Sequence, residues 1–235
     1  MKPNAESVVD TATNALREAI RYGRFAPGQR LVVADLKEIY GTSAGPIREA
    51  ITRLAGEGLI DLIPNRGAVV RTFAERDMRE LFQVREALEG MVARLAALNA
   101  HRADYADQLR ALMAKLEAHT RDGDISLSVT REEFHDLLYE MSGNAKLKET
   151  AVRLSYPGYG VRYSRLIGAA RTQASLAEHQ AVADAILAGD PPAAERLMRQ
   201  HLRNTAIAIQ DAIDAAPDFK SAFFGSDERQ GSPAN

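Results

Sequence analysis

The sequence predicts a mainly α-helical protein built from two parts. In residues 1–73 three helices precede a β-hairpin, and in residues 74–216 an all-helical antiparallel bundle of six to seven helices follows. Three observations predict this class. Apolar residues recur with helical spacing along most of the chain. Two short β-prone runs flank a turn at residues 64–67. Long helical patterns with few strand signals begin near residue 74.

The composition excludes disulfide-linked and membrane-spanning classes of protein. The 235 residues include no cysteine, which excludes disulfides and thiolate metal sites and is typical of a reducing cytoplasm. No apolar run approaches the roughly 20 residues that span a bilayer, and no signal-peptide pattern is present. We therefore expect a cytoplasmic protein with no membrane partner. The net charge is −2, but residues 1–73 hold 10 Lys and Arg against 8 Asp and Glu, which permits a polyanionic partner.

The first two helices are predicted from their apolar stripes. The first spans residues 8–22, and Gly23 ends it. After a turn and a short extended piece at residues 30–32, a second helix spans residues 34–40. We expect this helix to direct Leu36 and Ile39 into a core.

The third helix has both a start signal and a buried stripe. Thr42 or Ser43 is a suitable N-cap, and Pro46 falls in the first turn, where its missing N–H is harmless. Apolar residues at i, i+4 and i+7 form the stripe that faces the core. These residues are Ile47, Ile51 and Leu54.

Three helices and a hairpin in this order predict a winged helix-turn-helix, in which the third helix enters the major groove and the hairpin tip reaches the flanking backbone. The start of that helix suits a phosphate, and Arg48 suits a guanine edge or a phosphate. A small helical subdomain with solvated arginines is the alternative. The residues predicted to contact DNA are Lys37, Ser43, Gly45, Arg48, Thr52, Asn65, Arg66 and Gly67.

The stretches ALREAIRYGRFAPGQRL and LKEIYGTSAGPIREAITRLAGEGLIDLIPNRGAVV resemble the N-terminal domain of GntR-type bacterial transcription regulators over about residues 12–73. The resemblance implies double-stranded operator DNA as a partner. Because palindromic half-sites match the two-fold symmetry of a protein dimer, we also expect a homodimer. Ala44 stands where the family usually has Arg, which implies an altered operator preference.

The second part is predicted to be helical throughout, and residues 217–235 are predicted to form a disordered tail because Gly, Ser, Pro and charge alternate there. The predicted helices lie near residues 75–99, 104–121, 125–141, 144–155, 159–169, 174–188 and 191–214.

Three of the five histidines lie on the apolar faces of three different predicted helices: His135, His179 and His201. A single histidine in such a place is most often a core residue with a hydrogen-bond partner. Three of them raise the prospect of a shared site. Neutral imidazoles that converge inside a helical bundle suit a divalent transition metal such as Zn or Ni.

The stretches LFQVREALEGMVARLAA, EEFHDLLYEMSGN and SLAEHQAVADAILAGDPPAAERLMRQHL resemble the FCD domain of the FadR subfamily over about residues 76–214. The resemblance implies that His135, His179 and His201 hold a metal together with an Asp four residues before the first of them. Arg131 occupies that Asp position. Two alternatives stay open: a metal on the three histidines with Arg131 swung outward, or a metal-free site in which Arg131 and the histidines bind an anionic effector.

Arg85 also falls on an inward-facing stripe. A buried Arg requires a partner, which is either an internal acid such as Glu89 or the carboxylate of a ligand. The candidate effector-binding residues are Arg85, Arg131 and Arg162. The family resemblance implies a small organic acid as the effector.

These observations predict a ligand-responsive transcriptional regulator, and we expect a repressor rather than an enzyme. A metal-dependent enzyme that uses the three histidines is the alternative. The sequence has no HExxH, no GxSxG and no compact set of carboxylates, and an enzyme would leave the N-terminal part unexplained.

Overall fold

A computed structural model describes residues 7–72, 75–102, 104–122, 126–154 and 168–215. These residues form two compact units, one containing the elements up to Val70 and the other those from Glu75 onward. The predicted fold class is confirmed, because a winged helix-turn-helix forms the first unit and helices alone form the described part of the second.

The first unit combines three helices with a three-stranded antiparallel sheet in the order β1-β3-β2. The sheet therefore unites the predicted hairpin with the short extended piece before the second helix. The elements are α1 (Val8–Arg21), β1 (Arg30–Leu31), α2 (Val33–Tyr40), α3 (Ala44–Gly56), β2 (Ile60–Ile63) and β3 (Gly67–Val70).

The apolar stripe of α3 attaches this helix to the rest of the unit. Ile47, Ile51 and Leu54 are buried, and they share one core with Leu16 and Ile20 of α1. Burying an aliphatic side chain of this size contributes about 1.5–3 kcal/mol. The stripe therefore fixes which face of α3 turns outward.

The prediction that Ile39 lies in this core is wrong, because its side chain is 61% exposed. The helix α2 has eight residues, and its contact with the core runs through Val33, Leu36 and Tyr40 at helical spacing. Tyr40 takes the inward position one turn after Leu36 and leaves Ile39 on the outer side.

The second unit contains six helices among the described residues: α4 (Glu75–Asn99), α5 (Tyr105–Asp122), α6 (Ser126–Ser142), α7 (Ala145–Arg153), α8 (Ala169–Leu187) and α9 (Pro191–Ala215). The helix α8 begins five residues before its predicted start, because Gly168 is its N-cap and no helix breaker follows. The predicted helix at 159–169 lies mostly outside the described residues, and the predicted tail at 217–235 lies wholly outside them.

The helices α4 and α9 run antiparallel and lie close together. Glu86 accepts a hydrogen bond from Arg203 at 2.7 Å, while Arg94 donates to Glu195 at 3.3 Å further along. A Cβ atom on Gly90 would lie 2.7 Å from Cγ of Arg199, so this glycine permits the close approach. In the parts of the chain that the structure describes, no helix is long and apolar enough to cross a membrane.

Candidate functional site

All eight residues predicted to contact DNA have solvent-exposed side chains or backbone, and they lie on the first unit. Lys37 is on α2. Four residues follow the start and outer face of α3, and three form the turn and first position of the β2–β3 hairpin, which is the wing. Exposure is what an interface requires, and contact with DNA stays a prediction.

The outer face of α3 carries two arginines, of which one is paired with acidic residues and the other is not. Arg53 pairs with Asp10 at 2.7 Å and with Glu49 at 2.6 Å, so it braces α3 against α1. Arg48 is exposed, and it has no ion-pair partner within the ranges that the structure describes. Its guanidinium is therefore available for an anion. Thr52, one turn later, donates its hydroxyl proton to the carbonyl oxygen of Arg48 at 2.9 Å.

The tip of the wing has a conformation that its sequence favours. Asn65 and Gly67 adopt the left-handed region with φ of 61° and 82°, which Asn and Gly accept more readily than other residues. Between them, Arg66 donates its backbone N–H to the carbonyl oxygen of Ile63 at 3.1 Å. This tight turn leaves the Arg66 side chain at the exposed end of the hairpin.

The second unit brings the three predicted histidines together. One ring nitrogen from each of His135, His179 and His201 lies within 4.8 Å of the other two. The rings come from α6, α8 and α9, and their centroids are 4.3 to 5.9 Å apart. His179 is 1% exposed and His201 is 5% exposed. We call these three residues the histidine cluster.

His179 presents a buried nitrogen with an unused lone pair. Its Nδ1 lies 2.6 Å from the backbone carbonyl oxygen of Ser175, and a carbonyl only accepts, so Nδ1 carries the proton. Nε2 is buried and has no hydrogen-bond partner among the described residues. Burial lowers the pKa of His179 well below its usual value, and the positive charge of Arg131 adds to this effect. His179 is therefore a neutral imidazole.

Glu89 on α4 orients the first histidine. Its side chain is 2% exposed and pairs with Arg85 at 2.7 Å, and its Oε2 lies 2.7 Å from Nδ1 of His135. Burial raises the pKa of Glu89, but the charges of Arg85 and His135 outweigh burial and hold the pKa below its ordinary value. Glu89 is thus an ionised carboxylate inside the bundle.

Glu178 on α8 orients His201, the third histidine of the cluster. It accepts from Nδ1 of His201 at 2.7 Å, from both terminal nitrogens of Arg171 at 3.0 Å, and from the Asn204 amide at 2.8 Å. Burial raises the pKa of Glu178, but these hydrogen bonds outweigh burial and lower it to about 2. Burial lowers the pKa of His201, although the bond to Glu178 opposes this shift.

The donor set suits a divalent transition metal. An oxygen atom lies 2.6 to 2.7 Å from Nδ1 of every histidine in the cluster, so a neutral ring that donates from Nδ1 keeps its lone pair on Nε2. Metal-binding histidines show the same arrangement, in which a carboxylate or carbonyl fixes the tautomer and orients the ring. Three such nitrogens leave further coordination positions for water or a ligand.

The predicted effector-binding residues have different surroundings. Arg85 pairs with Glu89, which was one of its two predicted partners. Both terminal nitrogens of Arg131 are buried, and its charge acts on His179, so Arg131 does not swing out into solvent. Arg162 lies outside the described residues.

Sequence reasoning missed Glu178 and its partners Arg171 and Asn204. The predicted start of α8 at residue 174 left Arg171 outside the helix. With the helix beginning at Ala169, Arg171 and Glu178 are seven residues apart and share one face after two turns. That spacing is the signal which would have found the pair.

Two features are typical of a DNA-binding transcriptional regulator. One is a winged helix-turn-helix with exposed cations, and the other is a helical unit with a buried polar cluster. Residues 9–70 match the family model of bacterial regulatory proteins of the gntR family, and residues 80–204 match the FCD domain. The chain belongs to the GntR family of bacterial regulatory proteins. The alternative of a metal-dependent enzyme is not supported, since the family and its relatives are transcriptional regulators.

Individual relatives agree with this assignment. The chain is 30% identical to the HTH-type transcriptional repressor GlaR of Escherichia coli over 84% of its length and 94% of the relative. It is 29% identical to a probable D-xylose utilization operon transcriptional repressor of Paenarthrobacter nicotinovorans, over 78% of this chain and 80% of the relative. The fold matches that of E. coli McbR/YncC with a TM-score of 0.75 and 24% identity, covering 87% and 98% of the two chains.

We expect the substitution Glu89→Gln to lower the free energy of unfolding by about 3 kcal/mol, because it leaves Arg85 buried beside a neutral amide. Thermal or denaturant unfolding followed by circular dichroism measures the loss. Glu86→Gln is the matched control on the same helix, since it removes a surface pair with Arg203 and should cost less than about 1 kcal/mol. Equal losses in the two variants would contradict a special role for Glu89.

Proposed function

We propose that this regulator is a repressor that binds its operator as a homodimer and responds to a small organic acid. In this proposal residues 1–73 are the DNA-binding domain, and residues 74–216 bind the effector and form the dimer. The observation that carries the proposal is the histidine cluster, in which three ring nitrogens converge, together with the buried terminal nitrogens of Arg131, whose charge acts on His179. The repressor names of two relatives support the direction of control.

On the DNA side, α3 lies in the major groove. Arg48 contacts a base edge or a phosphate, with Gly45 and Thr52 on the same face. Ser43 and the backbone N–H groups at the start of α3 bind a phosphate, as does Lys37 on α2. The wing places Asn65, Arg66 and Gly67 on the flanking backbone. Because this partner is the bacterial chromosome, the protein acts in the cytoplasm.

On the effector side, the histidine cluster holds a divalent transition metal, Zn or Ni, through Nε2 of His135, His179 and His201. When bound, the metal supplies a Lewis-acid position for an oxygen of the acid. Arg131 binds the carboxylate of the same acid through charge-assisted hydrogen bonds. Arg85 contributes indirectly, through Glu89, and Arg162 remains a further candidate contact. The buried orientation of Arg131 supports a combined site over the two separate alternatives predicted from the sequence.

Effector and operator are coupled through the dimer. A ligand shifts an equilibrium only by its difference in affinity between two states of the protein. The acid therefore binds one arrangement of the two DNA-binding domains more tightly, and the operator binds the other.

The first experiment measures DNA binding by fluorescence anisotropy at fixed salt, with DNA from upstream of the protein's own gene. Arg48→Ala and Arg66→Ala should each weaken binding by roughly 10-fold or more, in line with about 1–3 kcal/mol for a specific contact. Arg53→Ala is the matched control on α3, because Arg53 is engaged with Asp10 and Glu49. Unchanged binding in both test variants would contradict the proposed interface.

The second experiment measures the metal content of the purified protein by mass spectrometry. We expect close to one divalent metal per chain, and His179→Ala should remove most of it because the cluster loses one of three ligands. His119→Ala is the control, since His119 bonds to Thr130 outside the cluster and should keep the metal. Protein that takes up no Zn or Ni at micromolar concentration would overturn the metal part of the proposal.

The third experiment screens small organic acids by thermal shift, with and without a chelator. An acid that binds only the native state raises the melting temperature by mass action. Arg131→Gln should abolish the shift because the carboxylate loses its cation, while the exposed Arg110→Gln on α5 should retain it. Shifts of equal size in the wild type and Arg131→Gln would exclude Arg131 as the effector contact.

A further inference from the structure

The strand β1 carries an arginine that lies outside every set of contacts described above. The side chain of Arg30 is exposed, and it has no hydrogen bond or ion pair within the residues that the structure describes. Arg30 pairs with Val69 across the ladder between β1 and β3. A Cβ atom on Gly67 would lie 3.9 Å from Nε of Arg30, so this side chain extends along β3 toward the tip of the wing. Arg30 therefore adds a cation to the wing from a different part of the chain.

The register of the sheet places this arginine on the face that turns away from the core. Paired residues of an antiparallel ladder share a face, and so do residues two apart along one strand. Arg30 and Gly67 therefore lie on one face, together with Ile63, which pairs with Gly67 and is 37% exposed. Leu31, the next residue of β1, lies on the opposite face, inside the core. We call Arg30, Ile63 and the tip residue Arg66 the outer wing surface.

The outer wing surface carries positive charge without a matching acid. Residues 62–67 are all exposed, and they include Arg66 and no acidic residue. Asp61 lies on the same face as Arg30, but Arg71 already engages its carboxylate at 3.0 Å. Within the described part of the chain, neither Arg30 nor Arg66 stabilises the fold through an ion pair. An external polyanion is the partner that this arrangement suits.

We propose that Arg30 binds a phosphate of the DNA backbone beside the position that Arg66 contacts. This inference rests on the DNA interface of the proposed function and adds a contact residue to it. The family to which the chain belongs regulates transcription, and duplex DNA offers alternating phosphates and apolar sugars. The guanidinium of Arg30 suits a phosphate, while the aliphatic Ile63 on the same face suits the sugar next to it. Phosphate contacts position a protein on the duplex without reading bases, so Arg30 sets where the wing rests.

The salt dependence of binding isolates this contact. Full-length protein is titrated with two duplexes, one from upstream of its own gene and one of unrelated sequence. Each phosphate contact contributes about 0.9 to the slope of log Kd against log salt concentration. Arg30→Ala should lower this slope by about 0.9 per bound chain, on both duplexes, and raise Kd about fivefold per chain at about 0.15 M salt. An unchanged slope in Arg30→Ala overturns the proposal.

Two further variants separate a local contact from a general effect of charge. Arg30→Lys keeps the cation and should keep the wild-type slope. Arg53→Ala removes the same charge from the same unit and should leave the slope unchanged, because Arg53 is engaged with Asp10 and Glu49. Equal slope losses in Arg30→Ala and Arg53→Ala overturn the proposal, since net charge alone would then explain both.

Neutral phosphates locate the contact on the DNA. Single methylphosphonate substitutions in the duplex remove one phosphate charge at a time. At one position in the flank, the substitution should weaken binding by wild-type protein and leave binding by Arg30→Ala unchanged, because that variant has already lost the interaction. Equal losses for the two proteins at every position overturn the proposal.

The outcomes also distinguish this inference from a structural role and from the proposed function. An Arg30→Ala variant that melts earlier and binds DNA normally assigns Arg30 to a contact within its own chain and overturns the proposal. Wild-type protein that binds its upstream DNA through Arg48 and Arg66, with no effect of Arg30→Ala, overturns the Arg30 contact alone. Wild-type protein with no preference for its upstream DNA overturns the proposed operator, and a slope loss on the unrelated duplex then still supports the Arg30 contact.

Discussion

The second unit depends on two carboxylates that lie among cations, Glu89 buried and Glu178 half-buried. Glu89 and Glu178 each bind one histidine of the cluster and one arginine. Removing a carboxylate from water is costly, and the cost is offset only when its oxygens are fully engaged. Four helices contribute to these contacts, since α4 and α8 carry the acids while α6 and α9 present the histidines. The bond between His201 and Glu178 also places a proton on Nδ1 of that ring, so the packing of the bundle and the chemistry of the histidine cluster share one origin.

Arg131 adds a third arginine to the surroundings of the histidine cluster. Glu89 and Glu178 are each paired with an arginine, Arg85 and Arg171. Arg131 is a third arginine whose terminal nitrogens are buried, and its positive charge acts on His179. Under the proposed function, this charge favours a ligand with at least one carboxylate over a neutral sugar.

The sequence predicted the first unit closely because its signals are local. Each of these signals depends on neighbours within a few positions, so periodicity and turn chemistry were sufficient to predict the elements. They are the stripe of α3, the N-cap region at Ser43 and the turn at Asn65. Ile39 was misplaced because two adjacent residues near the end of a short helix compete for one inward position. The histidines were found from their apolar faces, whereas Glu178 was missed because the predicted start of α8 at residue 174 left Arg171 outside the helix. The direction of Arg131 depends on how α6 packs on α4 and α5, which spacing alone does not give.

The helix α4 has a buried acid on one side and an exposed apolar row, Val84, Met91 and Leu98, on the other, and both belong to one continuous rod of 25 residues. Glu89 and the exposed row therefore share one continuous run of helical hydrogen bonds. In the proposed homodimer, effector binding and subunit association share a single free-energy cycle. Diluting the protein would then alter its apparent affinity for the acid, by the same factor with which the acid alters association.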